Sequence, residues 1–167
     1  MITYVFGHEL THAFFAMLFG GTLKSFHASE RGGRVILTKS NFIITLAPYF
    51  FPLYTFFILL LYFIARATAA GNAAINTLIF FSGVSFTFHL ILTLIFLQTD
   101  QNDIKEEGAV FSYPLIFLFN ILFTGFLINL YMADHDDYLR FLLGGIIKAT
   151  NMIVYLLSLI FGFIQKS

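Results

Sequence analysis

The chain has 167 residues, of which 59% are hydrophobic and 19% aromatic, with 24 Phe, no Trp and no Cys. Charged residues make up 11% and sum to zero net charge, against about 25% charged in a typical soluble domain. These figures exclude a soluble domain, which could not bury so much apolar surface. They give no basis for nucleic-acid binding, and they rule out disulfides and thiolate metal sites.

What remains is an all-α polytopic integral membrane protein whose solvent is the lipid bilayer. Five apolar stretches run from Met1 to Gly21, Phe42 to Ile64, Ala73 to Leu97, Val110 to Met132 and Tyr138 to Ile164. Each is near the roughly 20 residues that a membrane helix needs, so the pattern predicts about five transmembrane helices in one domain, residues 1–167. The first is barely long enough, and no basic n-region or cleavage site marks a removable signal peptide.

Between the first two stretches, "LKSFHAS" and "RVILTKS" flank Gly32-Gly33 and predict a short β-hairpin. Its edge could add a strand of substrate. Pro48 and Pro52 in "LAPYFFPLY" each remove a helical hydrogen bond and predict a kink in the second helix. The third helix contains His89 and runs into the acidic "QTDQNDIKEEG". The fourth contains Asn120 and Asn129, and the segment "ADHDDY" at 133–138 reads as a solvated cap before the fifth. The fifth carries Gly144, Gly145 and Lys148, so its start reads as interfacial.

Lys24, Arg31, Arg34, Lys39, Lys105 and Lys166 fall on one side of this arrangement, against Arg66, Arg140 and Lys148 on the other. Positive-inside bias then puts the hairpin and the C-terminus in the cytosol and the N-terminus outside.

The chemistry concentrates in "HELTH". His8 and His12 stand at i and i+4, one turn apart on one helix face, so two imidazoles can reach one metal ion. Glu9 lies roughly 100° around the helix from His8 and can face a water on that metal without being a ligand. This is the HExxH arrangement of zinc proteases. Zinc lowers the pKa of its water from about 15.7 to about 7, and Glu9 takes the proton and passes it to the leaving amine. An ionisable group at the centre of a membrane helix costs about 2.5–3.5 kcal/mol on insertion scales. Three polar groups within one turn therefore predict function rather than packing.

A catalytic zinc site takes three protein ligands plus water. The candidates for the third are His89, Asp100, Asp103, Glu106, Glu107 and His27. His89 lies about nine residues, roughly 13 Å, from the end of its helix, about as deep as the two histidines. Asp103 lies just past that helix and reaches the metal only if the helix continues or the loop folds back. On spacing alone both stay open.

"FGHELTHAFFAMLFGG", the short hairpin after it and a later helix that runs into an acidic motif together resemble the site-2 protease family of intramembrane zinc metalloproteases, peptidase family M50. The resemblance implies His8 and His12 as zinc ligands, Glu9 as general base and Asp103 as third ligand, with His89 as the rival. It implies a membrane-spanning protein as substrate. The stretch "GGRVILTKSNFIITLAPYFFPLY" is similar to small bacterial M50-like proteins, which implies a bacterial plasma membrane as the location. Asn120 is a candidate to orient a substrate carbonyl, with interhelical hydrogen bonding as its other role. The family's LDG motif is absent, as is a PDZ insert, so the alternative is a non-catalytic M50-like module that binds membrane partners.

Overall fold

A computed structural model describes residues 2–30, 32–132 and 138–164. In chain order the elements are α1 (Ile2–Leu18), β1 (Leu23–Ser29), β2 (Gly32–Leu37), α2 (Phe42–Phe50), α3 (Leu53–Ala67), α4 (Asn72–Leu97), α5 (Asn102–Glu107), α6 (Ala109–Met132) and α7 (Tyr138–Ile164). The expected cap at 133–137 lies outside the described residues.

The chain divides into two compact units, Met1–Leu122 and Phe123–Ser167. The second holds the end of α6 and all of α7. Every residue of the candidate site belongs to the first.

In the first unit, β1 and β2 pair antiparallel as the two strand-like runs predict, but Gly32 and Gly33 are not the turn: they belong to β2, opposite Ser29 and Ala28, with His27 opposite Arg34. The hairpin packs on α1, which also packs on α2, while α3 packs on α4. Small side chains allow the close α1–α2 approach: Ala13, Ala16 and Ala47 are fully covered. Asn41 caps α2, its side chain accepting from the Ile44 amide at 2.9 Å. Leu46 and Tyr49 of α2, Ile104 of α5 and Ile116 of α6 form one apolar cluster. That cluster holds α5 against the bundle.

The expected kink is a break. Phe51, placed before a proline, is extended at φ −102°, ψ 105°, and α2 and α3 meet at 74°. This changes the count of membrane spans. Among the described residues, two helices are long and apolar enough to cross a membrane, Asn72–Leu97 and Ala109–Tyr131, or three if the bent α2–α3 pair is one span. That is fewer than the five expected. The first apolar stretch yields only 17 helical residues, about 25 Å at 1.5 Å per residue, short of the roughly 30 Å hydrocarbon core. The second is interrupted at Phe51–Pro52, and α7 is not among the qualifying helices. The two that qualify turn most of their apolar surface outward, with 22% of each window buried. Such faces suit lipid and not water.

Candidate metal centre

The HELTH turn of α1 lies against α2, with Glu9 and His12 buried and His8 partly so. The Nε2 atoms of His8 and His12 are 3.3 Å apart. Asp103 Oδ2 lies 3.4 Å from the first and 3.5 Å from the second. The three atoms form a nearly equilateral triangle. A tetrahedral ion with bonds of about 2.0–2.2 Å spaces its donors about 3.3–3.6 Å apart, so one ion fits all three. Among the described residues this is the group of His, Asp and Glu side chains whose donor atoms converge on one point.

Hydrogen bonding prepares the donors. His12 Nδ1 is 2.8 Å from the Ile44 carbonyl oxygen. A carbonyl only accepts, so Nδ1 carries a proton and donates it, leaving Nε2 of the neutral ring with its lone pair toward Asp103. A backbone carbonyl behind a ligating histidine fixes its tautomer and orientation in this way. The Nε2 lone pair of His12 and the Asp103 carboxylate thus face each other at 3.5 Å, an arrangement that only a proton or a cation between them makes favourable.

Asp103 arrives from far along the chain. After α4 the backbone folds back, and the six residues of α5 are set by Ile104, which is 7% exposed within the α2–α6 cluster. Gly108, at φ +85°, ends α5 in a conformation that favours glycine. Burial opposes ionisation of the Asp103 carboxyl, but whenever the rings of His12 and His8 are protonated their hydrogen bonds and charge outweigh it and hold the group well below the usual carboxylate range. The Tyr49 hydroxyl donates to the same Oδ2 at 2.9 Å, with Gln101 Oε1 farther off at 3.3 Å.

Glu9 is outside the ligand triangle and lines the same cleft. The hairpin backbone closes on it at Gly33. A Cβ there would stand 2.5 Å from Glu9 Oε1 and 2.7 Å from Cδ, so any larger residue would displace the Glu9 carboxylate. The cleft has a volume of about 630 Å³ and is bordered by Glu9, the ligand triangle, Arg34 and Lys39.

The remaining candidates do not join the triangle, although Asp100 and Glu106 border the same cleft. His89 does not join the triangle. It is buried in α4, stacks on Phe86 and lines a separate cavity of about 20 Å³ with Tyr4 and His8. Of the two expected candidates it is Asp103, and not His89, that the structure brings to the histidines, because the chain after α4 folds back to α1. His27 is exposed on β1. Asp100 pairs at 2.6 Å with Lys105 on the exposed side. Asn120 does not border the cleft. Its amide nitrogen donates to the Tyr49 carbonyl at 2.9 Å and to Ile116 in its own helix at 2.8 Å, the interhelical role. Sequence reasoning missed Tyr49, the Ile44 carbonyl and the contact of Gly33 with Glu9. For Tyr49 the one available signal was a hydroxyl within "LAPYFF".

No protein-family model matches the chain, and neither the curated proteins nor the solved structures contain a match.

Proposed function

We propose that the chain is a zinc-dependent intramembrane endopeptidase that hydrolyses peptide bonds of membrane-spanning substrates. The observation that carries this reading is the 3.3, 3.4 and 3.5 Å triangle of His8, His12 and Asp103 donors with Glu9 beside it in an open cleft. A set of two histidines and one carboxylate with a fourth position left free suits a hydrolytic zinc site. When bound, zinc supplies Lewis acidity toward a water and toward a peptide carbonyl.

The chain's own groups do the rest. His8, His12 and Asp103 hold the ion at the cleft floor. Glu9, kept out of the ligand set and pressed by the Gly33 backbone, accepts the water's proton at its carboxylate and returns it to the leaving amine. Gly33, Arg34 and Val35 bring hairpin backbone to the cleft wall, where main-chain groups can hold a peptide in extended form. Extension matters because a helical peptide bond is shielded from attack.

The test uses the purified full chain co-reconstituted with a membrane-spanning reporter. Metal analysis should find one zinc per chain rather than iron, the other common partner of two histidines and a carboxylate. Glu9→Gln should keep the zinc and abolish cleavage. Cleavage by Glu9→Gln at the wild-type rate would overturn the mechanism, and bound zinc with no cleavage in the wild type would favour the non-catalytic module.

A further inference from the structure

The proposed zinc site leaves the buried hydroxyl of Tyr49 without a role. Tyr49 is fully buried in α2, and its hydroxyl lies 2.9 Å from Asp103 Oδ2, the oxygen that faces both histidines. Its ring meets the His8 ring edge-on at a centroid distance of 5.1 Å. Its backbone carbonyl accepts from Asn120 of α6 at 2.9 Å. It also packs with Ile104, the neighbour of Asp103, in the apolar cluster.

Asp103 most needs such a hold. His8 and His12 are fixed by one continuous helix, whereas Asp103 sits on a helix of six residues in the segment that folds back after α4. A carboxylate on so short a piece has rotational freedom that must be removed before it can act as a ligand. We propose that Tyr49 is the positioning residue of the metal centre. Its hydroxyl fixes the Asp103 carboxylate so that Oδ2 faces the imidazoles, and Asn120 fixes Tyr49 from behind. This rests on the reading of His8, His12 and Asp103 as zinc ligands.

Hydrogen-bond partners of ligating carboxylates generally contribute 10–100-fold to metal affinity. The test titrates Zn²⁺ into the purified full chain against a competing chelator, for wild type, Tyr49→Phe, Asp103→Ala and the double variant. Tyr49→Phe keeps the ring and removes one oxygen. The expected result is a roughly 10–100-fold weaker affinity for Tyr49→Phe, with unchanged helix content by circular dichroism. In the Asp103→Ala background the same change should cost nothing further, because the hydroxyl acts through that carboxylate. Co²⁺ in place of Zn²⁺ should show altered visible bands in Tyr49→Phe, which a purely structural role would not produce.

Equal affinity in wild type and Tyr49→Phe would overturn the inference and leave the zinc site standing. An equal loss in both backgrounds would overturn it as well. A wild type that binds no Zn²⁺ refutes the metal site and this inference with it. Should Tyr49→Phe fail to fold, 2,3-difluorotyrosine at position 49 keeps the volume and the hydroxyl while changing its acidity. A shifted cobalt spectrum is then the supporting result, and an unshifted one the opposing result.

Discussion

Gly33→Ala is the sharpest perturbation of the proposed chemistry that replaces no proposed catalytic or ligand residue. The new methyl carbon would lie 2.5 Å from Glu9 Oε1 and 2.7 Å from Cδ, against about 3.5–4.0 Å for comfortable contact between carbon atoms. A displacement of about 1 Å is therefore forced, shared between Glu9 and the hairpin backbone. Overpacking of this kind costs about 1–3 kcal/mol in stability, and a misplacement of about 1 Å at a reacting group costs about 100-fold in rate. Glu9 lies outside the ligand triangle, so zinc affinity should stay at the wild-type value. The assay pairs reporter cleavage with chelator-competition titration on the same preparation. A Gly33→Ala variant that cleaves at the wild-type rate refutes the placement of Glu9 beneath the hairpin. A variant that loses zinc refutes its separation from the ligands.

Other expectations follow from the same geometry. Ile104→Ala removes the apolar anchor of α5; the cost for burial of this kind is about 2–5 kcal/mol, and melting temperature and zinc affinity should fall together. An unchanged affinity would mean that α5 is held in place by something else. Acidification should release the metal, since protons compete with it for imidazole nitrogen. The Asp103 carboxyl is held well below its usual range, so it stays ionised while the histidines protonate. Zinc affinity should therefore fall as the pH drops, because each imidazole that takes up a proton is lost as a ligand. Affinity that is flat down to pH 5 would speak against imidazole ligands.

The parts of the site legible in the sequence were those set by short-range geometry. His8 and His12 share a face because i and i+4 always do on a helix, and the hairpin follows from two neighbouring strand-like runs, though its turn does not fall on Gly32-Gly33. Asp103 was reachable through resemblance, but not from spacing, because its position depends on α5 docking through Ile104 on residues over fifty positions away. Tyr49 was invisible for the same reason: its hydroxyl partner is separated from it by 54 positions. Gly33 read as a turn residue. The structure instead pairs it with Ala28 inside the hairpin, where its missing side chain makes room for Glu9.

Apolar length overcounted the membrane spans. Hydropathy alone does not register that the chain is extended at Phe51 before Pro52 while Pro48 stays within the helix, nor that the helical part of the first stretch stops at Leu18. What the candidate site uses is one carboxylate carried by a short, docked helix.

The central claim is that one ion is held by His8, His12 and Asp103. X-ray absorption at the zinc edge of the purified, zinc-loaded full chain tests it most directly. The predicted spectrum contains two imidazole nitrogens and at least one carboxylate oxygen at about 2.0–2.2 Å, with one imidazole lost in His12→Ala and the signature of the carboxylate lost in Asp103→Ala. A spectrum with fewer than two imidazoles, or one that neither substitution changes, would contradict it.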